Sequence, residues 1–190
     1  MVEYLVLSGR ALLFPVYYGT YERPAALGRD WATSSVSKRP LAYRDWTLCS
    51  FRDLSRSIDY LETRSDIDHQ KLAYYGLSLG AMLGVGVLAL ENRLSTGILA
   101  LGGIAPIPLP RSFDTALYAP RVTAPVLVVN GREDFLIPMN VGARPLYELL
   151  GSRDKKHSFY AGGHGEFGLF HKQVRQDVLT WLDAHLGPVH

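Results

Sequence analysis

The chain has few of the features that mark secreted, membrane-spanning or nucleic-acid-binding proteins. Cys49 is the one cysteine in 190 residues, so no disulfide can form within the chain, which favours a reducing compartment. The net charge is only +2 and the basic residues are dispersed, which argues against nucleic-acid binding. No apolar run reaches the roughly 18 residues of a membrane helix, and the first residues lack the pattern of a signal peptide. These absences predict a cytoplasmic protein that binds neither membrane nor nucleic acid.

The composition is ordinary for a globular protein, with 47% hydrophobic and 20% charged residues, and it predicts one domain over residues 1–190. Apolar strand-like runs alternate with helix-like stretches, which predicts a mostly parallel sheet in a three-layer α/β/α fold. The predicted strands are Ala11–Tyr17, Lys71–Gly76, Thr96–Leu101, Val126–Asn130 and His157–Ala161. The predicted helices are Asp45–Thr63, Leu79–Glu91 and Phe170–Leu186. Val2–Leu7 is predicted to be the end of a further helix. Another begins after Pro138, is broken by Pro145 and stops near Gly151.

The most informative motif is Gly76-Leu77-Ser78-Leu79-Gly80, a G-x-S-x-G pattern between a predicted strand and a predicted helix. A serine on a sharp strand-to-helix turn exposes its hydroxyl beside the free N–H groups of the new helix. The two glycines leave room for that turn. The context therefore favours Ser78 as a nucleophile and the Leu79 N–H as a donor to an oxyanion, whereas the pattern alone also occurs in ordinary turns.

A nucleophilic serine needs a base and an acid that orients the base. Asp134 follows the predicted strand Val126–Asn130 and is the candidate acid. Its alternative is a structural role as a turn residue or helix cap. The neighbouring Glu133 is the competing acid.

The candidate base is His164, which lies in the glycine-rich loop Gly162-Gly163-His164-Gly165 after the last predicted strand. Carboxyl ends of parallel strands meet at one edge of a sheet, so Ser78, Asp134 and His164 are expected to converge there. A packed loop histidine is the alternative for His164. The remaining histidines do not combine with carboxylates at metal-ligand spacing on one helix face, so no metal is predicted.

These residues occur in the order nucleophile, acid, base along a chain whose motifs match a known family nearly end to end. The matching segments are Pro15–Arg23, Arg56–Arg64, Ala73–Ser78, Ala119–Val122, Asn130–Arg132 with Asp134, Gly162–Gly165, Trp181–Asp183 and Leu186–Val189. The chain resembles α/β-hydrolases of the dienelactone-hydrolase-like group and, more narrowly, the serine-hydrolase domain at the end of some bacterial protein-kinase fusion proteins. The resemblance implies that Ser78 is the nucleophile, His164 the base and Asp134 the orienting acid.

The resemblance also implies that three strands usually precede the one predicted at Ala11–Tyr17. The chain is therefore expected to be a truncated or minimal form of the α/β-hydrolase fold, with the second oxyanion donor of the family upstream of Met1. Tyr17 and Tyr18 are the candidates to replace that donor through a hydroxyl or an N–H group. The edge left by a missing strand makes a homodimer plausible.

The predicted cap over the site is the proline-rich connection Gly102–Ala124. Within it Ile104 and Ile107, and beyond it Phe135, are the candidates to line the substrate pocket; Leu109 and Phe113 are further candidates in the connection. A packed surface loop remains the alternative. A short cap favours small, soluble esters over long lipids.

The sequence therefore predicts a serine hydrolase that cleaves small carboxylic esters through an acyl-enzyme intermediate and needs no cofactor. One alternative is a catalytically impaired hydrolase-like binding module with an incomplete oxyanion hole. The other is a peptidase or lactonase that uses the same triad, because the pocket and not the triad decides the bond.

Overall fold

The computed structural model describes residues 2–23, 40–105, 109–165 and 172–189. The chain divides into two compact units, one of residues 1–12, 68–106 and 115–190 and a second of residues 13–67 and 107–114. The prediction of a single domain over residues 1–190 stays a prediction.

The first unit contains most of the regular elements, and α2 belongs to the second. The helices are α1 (Glu3–Leu7), α2 (Pro40–Glu62), α3 (Leu79–Leu90), α4 (Thr115–Tyr118), α5 (Arg144–Leu149) and α6 (Lys172–Leu186). The strands are β1 (Ala73–Leu77), β2 (Thr96–Ala100), β3 (Val126–Gly131) and β4 (Lys155–Tyr160). A 3-10 turn at Ala119–Arg121 follows α4, and a π-helical turn at Met139–Ala143 precedes α5.

The four strands form one parallel sheet in the order β1-β2-β3-β4. Leu77 is in register with Ala100, Ala100 with Val129, and Gly131 with Tyr160. The carboxyl ends of the strands therefore lie together at one edge of the sheet, as the sequence predicts. β1 to β4 correspond closely to the last four predicted strands.

Helices cover both faces of this sheet. Alternate residues of a strand point to opposite faces, and Ile98 and Ala100 of β2 lie in one buried cluster with Val178 of α6. Leu99, between them, points to the other face, where a Cβ atom added to Gly84 of α3 would lie 2.9 Å from the Leu99 Cδ2. The predicted three-layer α/β/α architecture is therefore confirmed for the first unit.

The end of α6 also agrees with the sequence. The helix ends at Leu186, and Gly187 follows it with a φ of +84°, a left-handed conformation that glycine adopts without steric cost. The predicted start of this helix at Phe170 lies outside the described residues.

The prediction of a strand at Ala11–Tyr17 is wrong. Within the described residues this segment pairs with no strand, and its carbonyl groups are used locally instead. The Val16 carbonyl accepts a hydrogen bond from the Arg23 guanidinium, and the Tyr17 carbonyl accepts one from the Thr20 N–H. An apolar run becomes a strand only where a neighbour supplies ladder hydrogen bonds. The predicted homodimer is a separate matter and stays a prediction.

Pro145 begins a helix rather than breaking one. It lies in the first turn of α5, where proline is tolerated because the N–H groups there lack intrahelical acceptors. The preceding π-helical turn accounts for the apparent continuity of the helical pattern from Pro138.

The connection Gly102–Ala124 contains regular structure that its prolines conceal. α4 and the 3-10 turn lie in its second half, with Pro120 in the first turn of the 3-10 segment. Its role as a cap stays a prediction.

In the second unit, α2 begins five residues before its predicted start at Asp45. Its Asp53 carboxylate accepts hydrogen bonds from the Tyr18 N–H and from the Arg23 guanidinium. Trp46, also on α2, makes an edge-on ring contact with Phe113, with 5.8 Å between the ring centroids.

None of the described helices combines the length and apolar character needed to cross a bilayer.

Close packing of α3 on the sheet depends on Gly84. A Cβ atom at this position would lie 2.3 Å from Cε1 of Tyr74, and the Tyr74 ring cannot easily move because its hydroxyl donates to the Gly80 carbonyl. Gly80 itself has space, since a Cβ there would meet nothing nearer than the Tyr74 hydroxyl at 3.9 Å.

We expect Gly84→Ala to lower the free energy of unfolding by about 1–3 kcal/mol, the usual cost of overpacking. The matched control Gly80→Ala is expected to be neutral or slightly stabilising, since alanine favours helix over glycine. Urea unfolding of both variants measures the difference. Equal stability of the two variants would contradict the close approach at Gly84.

Candidate active site

Ser78 lies on the turn between β1 and α3. Its φ is +52° and its ψ −112°, a left-handed φ that a non-glycine residue adopts only when its surroundings enforce it. The Ser78 N–H donates to the Ala100 carbonyl over 2.8 Å, while its own carbonyl accepts the Met82 N–H over 3.0 Å. One hydrogen bond thus extends the sheet and the other begins the helix, so the strain is held from both sides.

Gly76, the first glycine of the motif, permits this turn. A Cβ atom on Gly76 would lie 2.4 Å from the Gly80 carbonyl oxygen and 2.7 Å from the Tyr74 ring. Because backbone cannot yield as a flexible side chain does, any larger residue at position 76 would displace the start of α3. This is the physical reason for the first glycine of the motif.

The N-terminus of α3 lies next to Ser78. Leu79 is the first helical residue, so its N–H has no acceptor within the helix. The 12 residues of α3 also direct the positive end of the helix dipole toward this turn. Negative charge that develops near Ser78 would be stabilised there.

His164 connects Ser78 to Asp134. The Ser78 Oγ lies 2.7 Å from the His164 Nε2, and the His164 Nδ1 lies 2.7 Å from the Asp134 Oδ2. A carboxylate only accepts, so Nδ1 carries the proton and Nε2 of the neutral ring is left to accept the serine proton. The His164 side chain is 14% exposed and that of Asp134 is fully buried, so the chain of hydrogen bonds is largely shielded from water.

Asp134 is held by its own loop. Its Oδ1 accepts the N–H groups of Leu136 and Ile137, each over 2.9 Å, which leaves Oδ2 directed to His164. Three hydrogen bonds to one buried carboxylate fix its position. The structure thus combines the turn role and the orienting position that the sequence left as alternatives.

Glu133, the competing acid, is exposed, whereas the carboxylate bonded to the imidazole is that of Asp134. Its Oε2 accepts the Gly162 N–H over 2.5 Å. The acid next to His164 is therefore Asp134.

The predicted pocket residues have different environments. Phe135 is 77% exposed, and Ile104 is half-buried with its N–H donating to the Gly142 carbonyl. Ile107 lies outside the described residues. Phe113 is buried against Trp46 in the second unit. A substrate-binding role for these residues stays a prediction.

The two tyrosines predicted as oxyanion donors belong to the second unit. The Tyr18 N–H donates to the Asp53 carboxylate over 2.7 Å, and the role of Tyr18 as an oxyanion donor stays a prediction. Burial, together with the nearby charge of Asp53, raises the pKa of Tyr17 to about 12. The Tyr17 hydroxyl therefore keeps its proton at neutral pH, as a hydrogen-bond donor must.

Sequence reasoning missed Asn130, whose side chain links β3 to β4 and to the segment that follows β2. This fully buried residue of β3 donates from Nδ2 to the Gly102 carbonyl after β2, and its Oδ1 accepts from the Nε2 of His157 on β4. Burial, and secondarily the Arg144 charge, lowers the pKa of His157 to about 4. The signal was available in the sequence, since an amide in an otherwise apolar buried strand needs partners.

Comparisons with known proteins agree with this fold. The model of the phospholipase/carboxylesterase family matches residues 41–183. A cold-adapted esterase from an Arctic intertidal metagenomic library superposes with a TM-score of 0.65 at 23% identity, covering 77% of this chain and 63% of that one. The chain thus spans less than two thirds of the length of that esterase.

Two further solved structures share the fold at lower identity. The acetyl xylan esterase from Paenibacillus sp. R4 gives a TM-score of 0.63 at 16% identity, over 74% of this chain and 54% of that one. The Pyrococcus horikoshii acylaminoacyl peptidase gives 0.62 at 16% identity, over 77% and 29% of the respective chains. The narrower resemblance to hydrolase domains of kinase fusion proteins stays a prediction. Because the family model covers most of the 190 residues, the chain belongs to the phospholipase/carboxylesterase family of α/β-hydrolases.

Proposed function

We propose that this chain is a serine hydrolase that cleaves small carboxylic esters through an acyl-enzyme intermediate. The observation that carries the proposal is the unbroken path of hydrogen bonds from the Ser78 hydroxyl through His164 to Asp134. The strained turn of Ser78 and the family of the chain support it. Strain of this kind concentrates where a side chain must be presented for chemistry.

In the acylation step, the Ser78 Oγ attacks the ester carbonyl carbon while its proton passes to the His164 Nε2. Asp134 keeps the Nδ1 proton in place and stabilises the imidazolium that forms. The carbonyl oxygen becomes an oxyanion, to which the Leu79 N–H donates. His164 then returns the proton to the leaving alcohol as the C–O bond breaks, and the acyl group remains on Ser78.

In the deacylation step, water takes the place of the alcohol. His164 removes a proton from that water as it attacks the acyl carbon, and returns the proton to the Ser78 Oγ when the acid is released. The enzyme ends in its starting state, so the cycle consumes one ester and one water and requires no cofactor. Each oxyanion donor contributes a rate factor of about 10² to 10³, which makes the start of α3 a major part of the proposed site.

The loop after Asp134 is the proposed contact surface for the apolar part of the substrate. The N–H groups of Leu136 and Ile137 are tied to the Asp134 carboxylate, so the loop presents Phe135 and Leu136 in a fixed turn. Phe135 is 77% and Leu136 51% exposed. Exposed apolar side chains on a fixed turn favour contact with a ligand over packing within the chain.

The bond that is cleaved is proposed to be an ester rather than an amide. The family description and two of the three compared structures name esterases, while the third names an acylaminoacyl peptidase. Acyl-enzyme chemistry is shared by both classes. Rates on an acyl ester and on the matching acyl-peptide amide, measured under the same conditions, separate the two.

We expect Ser78→Ala to lower kcat for p-nitrophenyl acetate by a factor of about 10⁴ or more, because no other group forms the acyl-enzyme. The matched control is Ser95→Ala, since the Ser95 hydroxyl donates to the Gln70 carbonyl at the opposite end of β2. Release of p-nitrophenol measures both rates. Undiminished turnover by Ser78→Ala would exclude the proposed nucleophile.

We expect acetyl and butyryl esters to be hydrolysed faster than long-chain esters. We also expect Phe135→Ala to raise KM for the butyryl ester roughly fivefold, because the variant loses about 1 kcal/mol of apolar contact. Leu90→Ala is the control, since Leu90 is 57% exposed but ends α3, about 16 Å from its start by helical rise. A preference for long-chain esters, or equal KM values for the two variants, would contradict this view of the substrate.

A further inference from the structure

Of the three residues in the hydrogen-bonded path, His164 has the loop that needs most support. Ser78 is held between sheet and helix, and Asp134 by two N–H groups of its own turn. His164 instead follows two glycines and precedes a third, and glycines leave a backbone with the greatest conformational freedom. Gly162 has a φ of +113°, so the loop bends sharply before it reaches the imidazole.

Glu133 joins this loop to the loop that carries Asp134. The Glu133 N–H donates to the Gly162 carbonyl over 3.3 Å, and the Gly162 N–H donates to the Glu133 Oε2 over 2.5 Å. A Cβ atom on Gly163 would lie 3.4 Å from the Glu133 carbonyl oxygen, so that carbonyl packs against the next residue of the loop as well. One residue thus contacts the two positions before His164 through its N–H, its carbonyl and its carboxylate.

The Glu133 carboxylate accepts a backbone hydrogen bond just beyond the end of the sheet. The hydrogen-bond pattern between β3 and β4 continues as far as the bond from the Arg132 N–H to the Tyr160 carbonyl, which is 2.8 Å long. β4 ends at Tyr160. Beyond it, the Gly162 N–H has no strand partner to meet it, and the side chain of Glu133 supplies the acceptor. A charged acceptor makes such a bond stronger than a neutral one.

We propose that Glu133 is a positioning residue for His164, acting through the Gly162 N–H to hold the imidazole within reach of both Ser78 and Asp134. The inference rests on the proposed function, since it assigns His164 the role of base. Glu133 is not a catalytic residue, because it is exposed and its bond goes to the backbone two residues before the imidazole. Glu133 affects the rate by holding the imidazole at the right distance from Ser78 and Asp134. Misplacement of a reacting group by about 1 Å can cost about 100-fold in rate.

The test compares Glu133→Ala, Glu133→Gln and the control Glu148→Ala, in which an exposed glutamate of α5 is removed. We expect Glu133→Ala to lower kcat for p-nitrophenyl acetate about tenfold with KM changed less than about twofold. Glu133→Gln retains a carbonyl acceptor and is expected to keep most of the rate. The control and the urea midpoints of all three variants are expected to match the wild type. Unchanged kcat in Glu133→Ala, or equal loss in the Ala and Gln variants, would overturn the proposal.

A second measurement does not require activity. The Nδ1 proton of His164, bonded to Asp134, is expected to give a downfield proton resonance that is absent from His164→Ala. It should persist in Glu133→Gln and broaden by exchange with water in Glu133→Ala. An unchanged resonance in Glu133→Ala would overturn the positioning role. A wild type without Ser78-dependent hydrolysis would instead refute the proposed function, and the resonance would still decide the role of Glu133.

Discussion

The site depends on the imidazole of His164, which is hydrogen-bonded at both nitrogens. Both bonds are 2.7 Å long, and neither partner has freedom to follow the ring if it moves. Asp134 is buried and held by its own turn, and Ser78 is fixed in a left-handed conformation between strand and helix. The parallel register of the sheet is what brings the three residues to one edge, because their loops follow β1, β3 and β4. The proposed chemistry is thus a consequence of topology combined with a few local constraints.

Local patterns predicted the parts of the molecule whose conformation has a local cause. The Gly76-Leu77-Ser78 turn was predictable because the close approach of the Gly80 carbonyl excludes a side chain at position 76. The buried runs of β2 and β3 were predictable because both their faces are covered, which requires apolar residues throughout. Because Ser78, Asp134 and His164 each follow such a strand, their position in the sequence was enough to predict that they lie together.

Features that depend on a partner elsewhere in the chain were not predictable in this way. The run at Ala11–Tyr17 has the composition of a strand, but pairing depends on a neighbour and not on composition. Pro145 looked like an interruption, although in the first turn of a helix it costs no hydrogen bond. Asn130 looked like the end of a strand, and its contacts to Gly102 and His157 emerge only when three strands are adjacent. From the sequence alone Glu133 is a competing acid, because its bond to Gly162 likewise depends on loops that meet only in the fold.

If His164 activates Ser78, loss of the imidazole must slow covalent labelling of Ser78. The rate at which a fluorophosphonate labels a serine depends on how strongly the serine hydroxyl is activated as a nucleophile. Peptide mass spectrometry can follow phosphonylation of Ser78 in the wild type and in His164→Ala. We expect a single adduct on Ser78 in the wild type, formed at least about 100-fold more slowly in His164→Ala. Labelling of Ser78 at the same rate in both proteins, or no labelling of Ser78 in the folded wild type, would contradict it.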